Sequence, residues 1–380
     1  MKLFLIYFIT LVWEVNSINK VKLSNFQLAV IAIGYFHAST TISNPAIGAK
    51  RDAWLAIILG TLGGFIVITM LLYLSKVNKG KNLVEIIEYC FGKTTGKILC
   101  LIYILYFLHV AILETEAFSE FMVTVSYPET PIVVIVLVLI IIAVYAARSG
   151  LSVIAKSCEV LVPLLPMAIA VVTLSLLNVT DFTGLKPSLI DIPPVIKSAV
   201  DLVSSVFADY IVFLMILPYT NSEKGRFKAT YWATGITGLI LLVISSRNLQ
   251  IIGPALIEYV RYPSHIAAQL IPAISIDPLV DMNLLIGGGI KVLVSLYAIS
   301  RITAEIFNIE YKPLVPAFGL LIITLSIWAF PNAMELYSWE HSFAETLISL
   351  PPQVLLPLIL LIISLIKNKK QQNGQKIQSA

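Results

Sequence analysis

The chain has 380 residues, of which 58% are hydrophobic and 13% are charged, with a formal net charge of +4 and a mean hydropathy of +0.90. Soluble domains carry about a quarter charged residues, so this composition excludes an ordinary soluble protein and predicts an integral membrane protein. The three cysteines show no paired spacing, and we interpret Cys90, Cys100 and Cys158 as small core residues, not as a disulfide or metal site.

The N-terminal segment, residues 1–21, begins with a lysine and a short apolar run, MKLFLIYFITLVW. A signal peptide shares this pattern, but no convincing small-residue cleavage site follows, and the run is short for a membrane span. We therefore interpret residues 1–21 as an uncleaved apolar extension at the membrane interface or on its lipid side. Residues 22–370 are predicted to form one transmembrane domain, and residues 371–380 a polar cytoplasmic tail.

About ten apolar segments are long enough to cross a bilayer as helices, which takes about 20 residues each. In chain order they are Phe26–Asn44, Ala53–Leu74, Lys97–Met122, Pro131–Ala147, Ser157–Leu177, Val200–Pro218, Thr230–Ser246, Leu284–Ile306, Leu314–Phe330 and Ala344–Ile366. Helices satisfy their own backbone groups, as lipid demands. The sequence therefore predicts an all-α polytopic membrane protein, and these segments are called the first to tenth spans below.

The basic residues predict the orientation of the spans. Lysines and arginines concentrate in alternate loops, such as Lys76–Lys97 and Lys224–Lys228, whereas Tyr127–Pro131 and Pro331–His341 contain neither. Cytoplasmic loops carry the excess of basic residues. With ten spans, both termini are therefore predicted to face the cytoplasm.

Two spans carry interruptions in corresponding places. The first contains HASTTISNP, His37–Pro45, and the sixth contains ADYIVFLMILP, which ends at Pro218. Many transporters consist of two inverted repeats whose first helices are broken near the bilayer midplane, and ten spans divide into five and five. We predict a break within Ser39–Pro45 that lines a cavity; the alternative is that the prolines only kink their helices.

Four stretches carry a resemblance to a known family: VFADYIVFLMILPYTN in the sixth span, GLSVIAKSCEVLVPLLP at the fifth, GGGIKVLVSLYAISRITAEIF in the eighth and YKPLVPAFGLLI at the ninth. They resemble the spore germination permease family, the B subunits of germinant receptors in endospore-forming bacteria. The resemblance extends from about Lys22 to Lys370. That family belongs to the amino acid–polyamine–organocation transporter superfamily, so the resemblance implies a five-plus-five inverted repeat. It also implies an A-type subunit and a C-type lipoprotein as partners and a place in the spore inner membrane.

Two ionisable residues lie within predicted spans, Asp209 in the sixth and Lys291 in the eighth. Such residues are rare in lipid and indicate a functional site or a buried pair. The resemblance places both near a central cavity between the first, third, sixth and eighth spans. An Asp209–Lys291 pair could be structural and fix the packing of the helices, or one or both groups could contact a ligand.

The third span carries three glutamates near its non-cytoplasmic end, Glu114, Glu116 and Glu120. We interpret them as a hydrated rim, with an acidic vestibule that attracts cationic or zwitterionic nutrients as the alternative. His37 and His109 also lie in spans. A lone histidine there is more often a hydrogen-bonded packing residue than a proton carrier.

The predicted ligand site collects the polar residues of the two interruptions and the basic residue of the eighth span. Its residues are Ser39, Thr40, Thr41, Ser43, Asp209, Tyr210 and Lys291. The GGGIK stretch lacks the frame of a phosphate-binding loop, and catalytic motifs are missing from the sequence. We therefore expect no enzymatic activity, cofactor, metal or nucleic acid partner.

These features give one leading functional hypothesis and two alternatives. The first is a nutrient-sensing receptor subunit that binds a small nutrient, such as an amino acid, in a midplane cavity within the lipid bilayer. The second is a permease that moves an amino acid with protons or sodium, and the third is a scaffold that only stabilises the A subunit.

Overall fold

The computed structural model describes residues 22–43, 46–180, 191–271, 276–330, 333–340 and 343–378. The predicted N-terminal extension, residues 1–21, and Pro45 lie outside these ranges. All three cysteines are buried and free, which confirms their interpretation as core residues.

The described chain is built from helices joined by short connections. They are α1 (Asn25–His37), α2 (Thr40–Ser43), α3 (Ala53–Val77), α4 (Leu83–Phe91), α5 (Lys93–Phe121), α6 (Ile132–Ser149), α7 (Leu151–Leu161), α8 (Leu164–Ser175), α9 (Ile192–Leu202), α10 (Glu223–Ile252), α11 (Pro263–Gln269), α12 (Asp277–Phe307), α13 (Leu314–Trp328), α14 (Ala333–Glu340), α15 (Phe343–Leu350) and α16 (Leu356–Gln378). The all-α polytopic fold class is thus confirmed.

Within the described ranges, eight helical segments are long and apolar enough to cross a membrane, and α13 is a shorter apolar helix. The first span completes the predicted set as two pieces, α1 and α2. Most spans extend beyond their predicted bounds. The sixth begins at Ile192, not Val200, and the tenth continues as α16 into the predicted tail.

The first span is interrupted at Ala38 and Ser39, between α1 and α2. Ala38 has φ 12° and ψ −144°, far from helical values. The predicted interruption therefore exists, but its predicted extent was wrong, because Thr40–Ser43 forms a helical turn of its own. The hydroxyls of Thr40 and Thr41 donate to carbonyl oxygens of residues 36–38 and satisfy backbone acceptors that the interruption frees.

The sixth span stays helical, but the type of helix changes along its length. After α9 the chain makes a π-helical turn, Val203–Phe207, and then a 3₁₀ segment, Ala208–Met215. Such changes of pitch are uncommon over this length and frequently mark functional sites. The predicted break is therefore a region of altered pitch that contains Asp209.

The eighth span, α12, is the central helix of the bundle. In its most apolar window 83% of the residues are buried, against 28% for α6. It packs along α5 and contacts α1, α6 and α8. A side chain that α12 directs toward α5 or α1 therefore lies in the protein interior and not in lipid.

Candidate functional site: a buried charged cluster at the helix break

An ion pair joins the sixth and eighth spans inside the bundle. Lys291 Nζ lies 2.9 Å from Asp209 Oδ2, and the two residues are 8% and 4% exposed. The predicted contact between them is confirmed. Lys291 Nζ also donates to the carbonyl oxygen of Ser205, 3.3 Å away in the π-helical turn, and lies 5.8 Å from the centre of the Tyr35 ring.

The other oxygen of Asp209 is held by two neutral side chains. Tyr106 of α5 donates its hydroxyl to Asp209 Oδ1, and Gln353 Nε2 donates to the same oxygen at 2.9 Å. Gln353 is fixed by Ser204, whose hydroxyl donates to Gln353 Oε1 at 2.8 Å and whose carbonyl accepts from Nε2 at 2.8 Å. The carboxylate thus has a defined orientation.

Gln353 reaches this position from the tenth span. It lies in a π-helical turn, Pro351–Leu355, between α15 and α16. Gln353 was not predicted from the sequence, because its side chain is neutral and does not stand out in an apolar span as a charged residue does. The adjacent Pro351 and Pro352, which interrupt an apolar span next to a polar residue, were the available signal.

A second carboxylate belongs to the cluster. Glu114 is 3% exposed, its Oε2 lies 3.9 Å from Lys291 Nζ, and it accepts a 3.2 Å hydrogen bond from Ser39 Oγ at the break. Its Oε1 is buried without a hydrogen-bond partner among the described residues. The cluster therefore contains two carboxylates and one ammonium.

The interpretation of the third-span glutamates as a hydrated rim was wrong for two of them. Glu114 and Glu116 are both buried, because the span continues beyond α5 through a π-helical turn, Met122–Ser126. Glu120 is half-buried near Arg261, with Oε1 and Nη1 3.9 Å apart.

Two glycines of the GGGIK stretch let α12 approach the break and α5. A Cβ at Gly287 would lie 2.7 Å from the backbone nitrogen of Ala38, and a Cβ at Gly288 would lie 3.0 Å from Glu114 Oε1. Cβ atoms are essentially never found closer than 3.0 Å to another heavy atom, and contacts of 3.0–3.4 Å are tighter than nine in ten of those observed. Gly287 therefore makes room for the irregular backbone of the first span, and Gly288 makes room for the carboxylate.

The predicted site residues separate into two groups. Ser39, Asp209 and Lys291 meet in the cluster, whereas the hydroxyls of Thr40 and Thr41 bond to nearby backbone carbonyls. Tyr210 is fully buried, but its hydroxyl lies 2.7 Å from Thr230 Oγ1 of α10. The side chain of Ser43 is outside the described part of the structure.

Both span histidines are hydrogen-bonded, as predicted. His37 Nδ1 lies 2.7 Å from the carbonyl oxygen of Ile33, in the same helix. His109 Nε2 lies 2.7 Å from Glu345 Oε2 of α15. Both contacts agree with packing roles.

Comparison with known proteins identifies the family. The model of a family described as "Spore germination protein" matches residues 22–334. The chain belongs to this spore germination protein family. It is 29% identical over 369 residues to Spore germination protein KB of Bacillus subtilis (strain 168), covering 94% of this chain and 98% of the relative. Spore germination protein YndE of the same organism is 23% identical over 369 residues, with 93% and 98% covered.

Solved transporters share the fold. A Na⁺-coupled sialic acid symporter in a substrate-bound outward-open state gives a TM-score of 0.68 at 13% identity, covering 87% of this chain and 77% of that one. MHP1, a nucleobase-cation-symport-1 family transporter, gives 0.67 at 15% identity, with 90% and 78% covered. MhsT in complex with L-phenylalanine gives 0.58 at 14% identity, with 91% and 99% covered. These likenesses confirm the transporter fold with its five-plus-five repeat. Together with the family, they indicate a polytopic membrane protein of the spore germination family that has a transporter fold.

Proposed function

We propose that this chain is the nutrient-sensing membrane subunit of a spore germinant receptor. An amino acid or a similar small nutrient binds at the buried cluster, with its ammonium group beside Glu114. The observation that carries the proposal is the charge imbalance at the break, where one lysine faces two buried carboxylates and Glu114 Oε1 lacks a partner among the described residues. A cationic group is the ligand chemistry that balances this charge.

Binding at this place suits a sensor because the cluster joins helices from both halves of the chain. Ser39 belongs to the interrupted first span, Asp209 to the sixth and Lys291 to the eighth. A ligand shifts a conformational equilibrium by its difference in affinity for the two states. A-type and lipoprotein C-type subunits would then read the change in helix packing from the spore inner membrane.

The test compares two variants in spores. Asp209→Asn removes a charge of the cluster, while Tyr210→Phe removes a hydroxyl that points away from it. We expect Asp209→Asn to shift the germination dose–response to higher nutrient concentration at comparable protein level, and Tyr210→Phe to leave it unchanged. An unchanged dose–response in Asp209→Asn at normal protein level would refute the proposal.

The second candidate function is a permease for an amino acid with proton or sodium coupling. The same excess of carboxylates supports it, because a proton or a sodium ion would also balance the charge. Uptake of labelled amino acids into liposomes that contain only this chain would favour the permease. Ligand-dependent protection of this chain without uptake would favour the sensor. If neither uptake nor protection is observed, the scaffold hypothesis remains.

The proposed orientation places both termini in the cytoplasm. Reporters fused after Lys370 and within Lys224–Lys228 should read cytoplasmic, and one within Tyr127–Pro131 should read outside. A cytoplasmic signal from Tyr127–Pro131 would contradict the ten-span orientation.

A further inference from the structure

Arg247 is a buried cation whose hydrogen-bond partners among the described residues are all neutral. It lies near the C-terminal end of α10 and is 5% exposed. Its Nε and Nη2 donate to Asn248 Oδ1 at 3.1 and 2.9 Å, and its Nη1 donates to Thr173 Oγ1 at 3.4 Å. The ion pairs between described residues do not include Arg247.

The other cation that is buried among the described residues, Lys291, faces a carboxylate, and so does half-buried Arg301. Lys291 lies 2.9 Å from Asp209, and Arg301 lies 3.5 Å from Glu305. A buried charge is costly unless an opposite charge balances it, and neutral acceptors do not remove the net charge of Arg247. Among the described residues, the environment of Arg247 therefore lacks the negative group that Lys291 and Arg301 have.

A small cavity opens beside Arg247. Its volume is ≈ 10 Å³, about the space of one water molecule. The polar side chains that line it belong to Arg247, Thr41, Ser264 and Asn283. Asn283 is 4% exposed, and its Oδ1 has no hydrogen-bond partner in the described structure. Two buried polar groups, one cationic and one without a partner, thus line the same space.

The cavity is connected to the interruption of the first span. Ser264 of α11 donates its hydroxyl to the carbonyl oxygen of Thr41 at 2.8 Å and accepts from Asn248 Nδ2 at 3.0 Å. Thr41 follows the break by two residues, whereas Ser39 within the break contacts Glu114. The residues that line the Arg247 cavity are not members of the Asp209–Lys291 cluster.

We propose that the cavity beside Arg247 binds a monovalent anionic group, either a halide such as chloride or the carboxylate of a small organic solute. Guanidinium has five N–H donors in a planar fork that suits such groups, and the bonds described above use three of them. Rotation of the Asn283 amide by 180° exchanges Oδ1 and Nδ2 with little change of shape, so that N–H groups take the place of the oxygen that has no partner among the described residues. Bound, the anion supplies the missing negative charge and links α2, α10, α11 and α12.

The proposal is tested by thermal unfolding of the purified full-length protein in detergent. Sodium sulfate supplies the ionic strength, and sodium chloride or sodium acetate replaces it stepwise. Ligand that binds only the folded state raises the unfolding temperature with concentration. We expect a saturating rise in Tm for the wild type with at least one of the two salts, loss of that rise in Arg247→Gln, and its retention in the exposed control Arg51→Gln. A response to chloride alone identifies a halide site, and a response to acetate alone identifies a carboxylate site.

Two results would overturn the proposal: an unchanged Tm in both salts for the wild type, or an equal rise in Arg247→Gln. If Arg247→Gln does not fold, labelled chloride and labelled acetate are measured directly on the wild type and on Arg247→Lys, which keeps the charge but loses the fork. Saturable binding to the wild type, at least tenfold weaker in Arg247→Lys, supports the site. Absence of saturable binding of both labels, or equal binding to the two proteins, refutes it.

Discussion

Removal of the lysine of the charged cluster should destabilise the protein more than removal of its nearest acid. Lys291→Met leaves Asp209 and Glu114 buried without the cation that both face. Loss of one partner of a buried pair typically costs about 3–5 kcal/mol, and here two like charges remain. We therefore expect Lys291→Met to lower the free energy of unfolding by at least this amount.

Asp209→Asn should cost less, because Glu114 remains as a partner for Lys291. With an effective dielectric constant near 20, unit charges 2.9 Å apart attract by roughly 6 kcal/mol and those 3.9 Å apart by roughly 4 kcal/mol before desolvation. Roughly two fifths of the attraction on Lys291 thus survives, and repulsion between the two acids disappears. The asparagine oxygen still accepts from Gln353. We expect a net loss of about 1–3 kcal/mol.

The assay is thermal unfolding of purified protein without nutrient, together with protein level in the membrane. Lys312→Met is the matched control, since Lys312 is exposed and forms none of the described ion pairs. The expected order of stability is wild type and Lys312→Met, then Asp209→Asn, then Lys291→Met. If Asp209→Asn is as unstable as Lys291→Met, Glu114 does not act as the second partner and the charge accounting of the cluster is wrong.

Three further substitutions, one of them with a matched control, test the packing around the cluster. Gly287→Ala should destabilise the folded protein by about 1–3 kcal/mol, because the added Cβ would clash with backbone. Its control, Gly289→Ala, has its nearest contact at 3.8 Å and should be nearly neutral. Equal melting temperatures of the two variants would contradict this. Gln353→Leu should cost about 1–3 kcal/mol in unfolding experiments, because Asp209 loses a buried donor; an unchanged Tm would show that the amide is dispensable. Tyr210→Phe should cost about 1 kcal/mol through its lost hydroxyl contact, and a loss above about 3 kcal/mol would indicate an additional role.

The sequence predicted the parts of this structure that carry a high energetic cost. Apolar length locates the spans, because lipid tolerates few polar residues. Asp209 and Lys291 stand out for the same reason, and their contact is the arrangement that reduces the cost of both. Position along the chain predicted the location of a side chain less well where the helix changes to a π-helical or 3₁₀ turn.

Glu114 shows why the rest could not be predicted. From the apolar pattern the third span ends at Met122, which places Glu114 two turns from its end. The π-helical turn extends the helix to Ser126, so that Glu114 lies about 18 Å from the end at 1.5 Å per residue. Gln353 and Thr40 illustrate the same limit. A π-helical turn directs Gln353 into the cluster, whereas the Thr40 hydroxyl bonds to a backbone carbonyl and not to the cluster.

Because the cluster has one carboxylate more than it has cations, substitution of Glu114 should affect protein stability and the germination response in opposite ways. Glu114→Gln removes a buried charge whose Oε1 is unpartnered among the described residues, while Lys291 keeps Asp209 at 2.9 Å. Without nutrient, this variant should therefore be more stable than the wild type by about 1–2 kcal/mol. If the ammonium of the nutrient supplies the balancing charge, the same variant should germinate only at higher nutrient concentration, because the ligand then gains less from binding. Unfolding temperature without nutrient and the germination dose–response are measured on the same preparations, with Glu120→Gln as the half-buried control on the same helix. A Glu114→Gln protein that is less stable than the wild type and germinates normally would show that Glu114 is a structural acid and that the nutrient is bound elsewhere.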